Sequence, residues 1–329
     1  MDEVRNILQT NDNFVLVTHM GPDGDAIGSC FGLAHALNSL GKSVKVVLGV
    51  FPEKYTIIPG AEFLHDGNDL KPDVAIALDC ADQSRIASPR YLFQDAPTTI
   101  CIDHHITNAG FAKINLIDPA ASSTCEIVYN LIKDITPISY NIAFALYAGI
   151  LTDTGGFKYD STQKQTLEIA ANLISTGIDF TKIYNELLHT HSFAGGKALG
   201  IVINNMKQAL DGRITYSTIS ADELISVGAK SFELDGAVEY LLNTLDTEAS
   251  VFVYAKTPEE LQYQNQPPVK VSFRSKGADV GVVAKRMGGG GHRMASGASG
   301  QDVQDTLKMA LSLLEEEIIV YDKRRNQFI

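Results

Sequence analysis

The chain has 329 residues, 45% hydrophobic and 20% charged, which suits two domains with a core each and excludes a small stapled scaffold. Acidic residues number 39 against 27 basic ones; the net charge of −12 opposes binding along a phosphate backbone, so any nucleotide must be recognised locally and long duplex nucleic acid is excluded. No apolar run approaches the roughly 18 residues of a membrane helix, so the sequence predicts no membrane association.

The opening M-D-E-V-R-N-I-L has neither the basic start nor the apolar stretch of an export leader, which makes the cytoplasm the expected location. Apolar, β-rich runs follow at 14–19 (F-V-L-V-T-H), 43–48 (S-V-K-V-V-L), 74–79 (V-A-I-A-L-D) and 98–103 (T-T-I-C-I-D). Helical patterns at 26–40, at 124–132 behind a serine-rich start, at 141–151, 162–175 and 179–188 separate or follow them. Continuous apolar strands alternating with helices predict an α/β fold: a parallel sheet covered by helices on both faces. The stretch S-F-A-G-G-K-A-L-G reads as a connection. Beyond it, alternating runs at 213–219, 250–255 and 269–274 and helical patterns at 236–245 and 303–317 predict a smaller α/β domain. The expected division is 1–188, a connecting segment 189–210, and 211–329. Cys30, Cys80, Cys101 and Cys125 form no C-x-x-C pair and are expected to be reduced, structural thiols.

Three of the four strands end in or run into an acidic residue or a histidine: His19, Asp79, and Asp103 with His104 and His105. In open α/β sheets the carboxyl ends of the strands form the binding crevice, so these side chains are expected to converge. The turn T-H-M-G-P-D-G-D adds Asp23 and Asp25, and Asp153 follows an apolar helix in L-T-D-T-G-G-F. P-D-G-D is also ordinary turn chemistry, and Asp25 alternatively caps the next helix. Clustered carboxylates repel one another unless cations sit between them. A set of aspartates and histidines without cysteine suits Mn²⁺ or Mg²⁺, and two such ions about 3.5–4 Å apart are a common device for cleaving phosphate esters.

The H-x-x-x-D-x-D loop, Asp79, the literal D-H-H at 103–105 and Asp153 together resemble the ordered motifs of the DHH phosphoesterase superfamily, and G-G-G-G-H at 288–292, after Arg274 and Ser275, resembles its DHH-associated C-terminal domain. The resemblance implies that His19 and Asp23 hold one ion, that Asp25, His104 and Asp153 hold the other, and that Asp79 bridges them around an activated hydroxide. It further implies that His105 lies beside the phosphate and that Asp103 orients the histidines. Arg274, Ser275, Gly289, Gly290, Gly291 and His292 become the expected phosphate clamp, in a cleft between the domains. Arg85, six residues after Asp79, either reaches a phosphate or is an ordinary surface arginine.

The implied activity is that of the bacterial type acting on short oligoribonucleotides, released as 5′-mononucleotides, and on pAp (adenosine 3′,5′-bisphosphate), converted to AMP. Two divalent ions, Mn²⁺ before Mg²⁺, are the implied cofactors. A cyclic di-AMP or linear dinucleotide phosphodiesterase is the nearest alternative. A RecJ-like exonuclease, a pyrophosphatase, a polyphosphatase and a non-catalytic nucleotide sensor fit less well. The oligomeric state stays open, a homodimer included.

Overall fold

The computed structural model describes residues 1–87, 90–262 and 267–326 of the chain, and the apolar residues after Asn13 form the first strand of a parallel sheet. The chain folds as two compact units, Met1–Thr190 and His191–Ile329. In the first, β1 (Asn13–Val17), β2 (Ser43–Val47), β3 (Val74–Leu78), β4 (Thr98–Asp103) and β5 (Ile114–Ile117) lie in the order β2-β1-β3-β4-β5, every pair parallel. The expected strands agree with β1 to β4 to within two residues at each end. β5 was not expected, because I-N-L-I at a sheet edge is only half-buried and carries too little apolar signal.

The strand order decides where a site can form. After β1 the chain goes to the edge strand β2, then returns past β1 to β3, so connections leave β1 and β3 in opposite directions and open a crevice at their carboxyl ends. One face of the sheet packs Phe14, Leu16 and Ile76 against the helices Gly24–Ser39, Thr124–Ile132 and Tyr140–Asp153. The other face, with Val15, Val17, Ala75 and Ala77, is covered by the short helix Tyr91–Gln94 and by Phe111.

Gly24–Ser39 and Tyr140–Asp153 are apolar nearly all round and buried, as expected of helices in a core. They approach closely because glycine recurs every fourth residue at 24, 28 and 32: a Cβ on Gly28 would stand 2.5 Å from the Ala145 carbonyl, and one on Gly24 would stand 2.2 Å from Thr152 Oγ1. This contact seats Asp25 and Asp153, each at the end of its helix nearest the crevice, on a rigid support. Among the described residues no helix is long and apolar enough to cross a membrane.

The second unit holds a mixed sheet of β6 (Lys207–Ala209), β7 (Ile214–Ile219), β8 (Ala249–Ala255), β9 (Val269–Ser275), β10 (Gly290–Gly291) and β11 (Ala295–Gly300), ordered β10-β11-β9-β8-β7-β6. Only β7 and β8 pair in parallel. Helices Val280–Arg286 and Val303–Asn326 pack on one face, Phe193–Asn204 and Ala237–Leu242 on the other. The stretch expected as a connection is therefore helical from Phe193: Ser192 caps it, and Ala198 and Val202 are buried in the second unit's core.

Candidate metal centre

Four structural devices bring the site residues together in the first unit. The first is the turn after β1. Asp23, rather than Asp25, caps the Gly24–Ser39 helix, accepting from the N–H groups of Asp25 and Ala26 at 3.1 Å each. That frees Asp25 to point across the site, where its two oxygens accept from the N–H groups of Thr124 (2.7 Å) and Cys125 (2.9 Å) at the start of the Thr124–Ile132 helix. A helix N-terminus stabilises an anion, and here the anion is supplied by the chain itself. His19 places Nδ1 3.0 Å from the Met20 carbonyl, which can only accept; the ring thus carries a proton on Nδ1, and Nε2 faces Asp79 Oδ2 at 3.7 Å.

The second device is the end of β3. Asp79 has φ of +53°, a left-handed conformation that aspartate tolerates better than most residues. Its N–H still donates to the Ile102 carbonyl at 3.0 Å, so the sheet ladder continues while the side chain turns into the crevice. Its carboxylate is buried, accepts from Thr124 Oγ1 at 3.1 Å, and stands 3.6 Å from His104 Nε2 and 3.5 Å from His105 Nδ1.

Third, β4 ends in Asp103, which is fully buried. One oxygen accepts from the His104 N–H (2.9 Å) and from His105 Nδ1 (2.7 Å), the other from Asn108 Nδ2 (2.7 Å). Fourth, Asp153 at the end of its helix lies 3.5 Å from His104 Nε2.

Ligand atoms of His19, Asp23 and Asp79 all lie within 4.8 Å of one another; so do those of Asp25, His104 and Asp153, and those of Asp79, His104 and His105. Asp79 and His104 each belong to two of the three groups. Among the described residues, the ion-pair partners of these aspartates are histidines alone. Burial, and then the charge of Asp79, push the Asp25 carboxyl up to about 7. Burial, then Asp25 and Asp79, push Asp153 well above the carboxylate range. Burial alone would raise Asp79 as well, but the hydrogen bond from His19 and the charges of His104 and His105 hold it below its ordinary value. Burial works to lower His19, and its bond to Asp79 outweighs this. The His105 ring is raised by its bond to Asp103. Carboxylates so close together ionise fully only with cations between them, and oxygen donors mixed with imidazole suit divalent ions. The donor set fits a metal.

The sequence singles out neither Asn108 nor Thr124, the latter being only the first residue of a helical pattern behind a serine-rich start. Ser123 makes the cap, with its side chain accepting from the Glu126 N–H, whereas Thr124 binds two of the site's carboxylates. Arg85 is exposed, and its carbonyl accepts from the Met20 N–H at 2.8 Å, which ties the loop after β3 to the turn after β1.

The remaining predicted residues lie in the second unit. Arg274 donates through Nε to Glu239 Oε1 at 2.7 Å and through Nη1 to the Phe273 carbonyl at 2.9 Å. Ser275 is buried and donates to the Ala278 carbonyl, so its hydroxyl shapes the turn after β9 and is not presented to a ligand, contrary to expectation. The glycine tract is an ordered hairpin: β10 pairs with β11, and the exposed His292 closes the turn with its N–H 2.7 Å from the Ala295 carbonyl. A Cβ on Gly289 would stand 2.2 Å from the Gly297 carbonyl, and Gly291 has φ of +138°, whereas Gly290 has open space around it.

Residues 13–150 match the DHH family, N-terminal domain, and residues 211–319 match the DHHA1 domain. The chain belongs to the DHH family and is a hydrolase acting on phosphoester bonds. Within it, the chain is 32% identical to the bifunctional oligoribonuclease and PAP phosphatase NrnA of Thermus thermophilus, over 92% of this chain and 89% of that protein. It is 28% identical to the Bacillus subtilis protein of the same name, over 90% and 92%. Among solved structures, an exopolyphosphatase-related protein from Bacteroides fragilis superposes with a TM-score of 0.88 at 30% identity, covering 98% of this chain and 97% of that one.

Proposed function

We propose that the chain hydrolyses short oligoribonucleotides to 5′-mononucleotides and dephosphorylates pAp to AMP, using two divalent ions, Mn²⁺ in preference to Mg²⁺. The observation that carries this reading is the set of donor groups that share Asp79 and His104 at the crevice of the first sheet. The names of the Thermus and Bacillus relatives support the substrate class. The two imidazoles in the ligand set favour Mn²⁺ over the harder Mg²⁺.

In this reading His19 and Asp23 hold one ion, Asp25, His104 and Asp153 the other, and Asp79 serves both. Bound there, the ions supply charge stabilisation at phosphorus and an activated water. The protein's own groups do the positioning. The helix N-terminus at Thr124 and Cys125 favours the ionised form of Asp25, against the effect of burial, and aims its carboxylate. His19 keeps its proton on Nδ1, against Met20, so that Nε2 is a ligand. Asp103 fixes the His105 ring, which meets the phosphate and donates toward the leaving oxygen. In the second unit Arg274, His292 and the amides of Gly289, Gly290 and Gly291 take the phosphate of the nucleotide end, with Ser275 holding the turn beside Arg274. Four free, buried cysteines suit a reducing, cytoplasmic compartment.

The test is turnover by metal-stripped protein with Mn²⁺ or Mg²⁺ restored, on pAp, a 5′-phosphorylated diribonucleotide, a ribonucleotide 24-mer, cyclic di-AMP and pyrophosphate. Preference for the first two with Mn²⁺ is the expected outcome. Dominant cleavage of cyclic di-AMP or pyrophosphate would overturn the substrate assignment, and silence across the panel would overturn the enzyme reading.

A further inference from the structure

Asn108 follows Asp103 by five residues in D-H-H-I-T-N, where the sequence marks it as nothing more than a turn residue. Its side chain is nonetheless saturated with bonds that converge on the site. Nδ2 donates to Asp103 Oδ2 at 2.7 Å and to the Cys80 carbonyl at 3.2 Å, and Oδ1 accepts from the Gly110 N–H at 2.8 Å. Its backbone N–H donates to the His105 carbonyl at 3.1 Å. One amide therefore joins the loop after β4, the last residue of β4, and the backbone immediately after Asp79. A carboxamide is suited to this because it offers donors to a carboxylate and an acceptor to a backbone amide at once.

The partner it serves has no alternative. Asp103 is fully buried and cannot replace a lost donor with bulk water. Its other oxygen is engaged by the His104 N–H and by His105 Nδ1. The orientation of the carboxylate, and with it that of the imidazole, depends on what holds Oδ2.

We propose that Asn108 is a positioning residue for the reaction: its donor to the far oxygen of Asp103 fixes the carboxylate plane and thereby the angle of the His105 ring. The proposal rests on the reading above in which His105 meets the phosphate. Asn108 touches neither substrate nor metal ligand side chains; it acts through Asp103.

Two variants test it in the full chain. Asn108→Asp keeps size and the acceptor for Gly110 but presents an acceptor where Asp103 needs a donor, and Asn108→Ala removes both. Expected in each is a fall in kcat of about ten- to a hundredfold with KM and Mn²⁺ affinity unchanged. In ¹⁵N-histidine-labelled, Mg²⁺-loaded protein, the sharp His105 Nδ1–H signal of the wild type should broaden or vanish in both variants. Wild-type kcat in Asn108→Asp, an unchanged His105 signal in both, or Mn²⁺ affinity falling in step with kcat would each overturn the proposal. Should the wild type turn over none of the panel substrates while the His105 signal still responds, the functional reading fails and the positioning stands.

Discussion

The metal centre of the first unit and the glycine hairpin of the second are both rich in polar groups, yet they are balanced in opposite ways. In the first, five aspartates crowd together, Asp79, Asp103 and Asp153 are ion-paired to histidines, and burial and mutual repulsion push Asp25 and Asp153 upward. That region is electrostatically incomplete, and its shape says what would complete it. In the second, Arg274 is paired with Glu239, Ser275 with a backbone carbonyl, and two of the glycines are required by the packing of β10 on β11. There the charged side chains are paired, although Glu239 Oε2 is buried with no hydrogen-bond partner among the described residues, so the region's chemistry has to be measured. Unsatisfied charge discloses a ligand in a way that a folded loop does not.

The comparison predicts effects of different size and kind. The largest belongs to the shared ligands: Asp79→Ala and His104→Ala should each lower phosphoesterase turnover by about three orders of magnitude, the equivalent of several kcal/mol of charge stabilisation, with native circular dichroism. Substantial activity in both would break the first half of the comparison. In the second unit, Arg274→Ala should raise KM for pAp by roughly ten- to a hundredfold, the worth of a charge-assisted hydrogen bond, and leave Mn²⁺ affinity by calorimetry as it was; an unchanged KM would show the Glu239 pair to be purely structural.

Packing supplies a sharper contrast within the hairpin. Gly289→Ala should destabilise the protein by about 1–3 kcal/mol in denaturant unfolding, because the added Cβ meets backbone, while Gly290→Ala should leave stability near wild type. Equal effects would mean that the hairpin is not packed as described. The smallest effect expected is at Thr124. Losing the hydroxyl that holds Asp79, in Thr124→Val, should weaken Mn²⁺ binding by about tenfold, and Thr124→Ser should restore it. Equal binding by both variants would assign the whole role to the Thr124 backbone.

Much of this was readable before any coordinates. Strands β1 to β4 are continuous apolar runs, and each predicted site residue of the first unit except Asp153 ends or follows one of them, so their convergence follows from the rule for open sheets. The expected convergence of Asp79, His104 and His105 needed nothing more, whereas their roles toward metal and phosphate rested on the family resemblance. β5 and β11 were not legible for physical reasons. β5 is half-buried at an edge, and β11, A-S-G-A-S-G, has small residues whose strand conformation comes from pairing with β9 and not from their own side chains. The stretch from Phe193 carries two adjacent glycines that read as a connection, yet burial of Ala198 and Val202 holds it helical. A signal was available at Gly24, Gly28 and Gly32, whose four-residue spacing marks one helix face as a place of close approach.

Residue types and their order along the chain determined that this protein builds a parallel α/β sheet with carboxylates and histidines at successive strand ends, because apolar runs choose their own burial and the residues after them have nowhere else to go. Tertiary structure alone decided which aspartate caps and which reaches across: Asp23 takes the helix end and Asp25 the amides of Thr124 and Cys125. It alone assigned Asn108 to Asp103 and Glu239 to Arg274. Such pairings are set by three-dimensional direction and by the scarcity of partners in a buried space, and neither quantity is written in the spacing of residues along a chain.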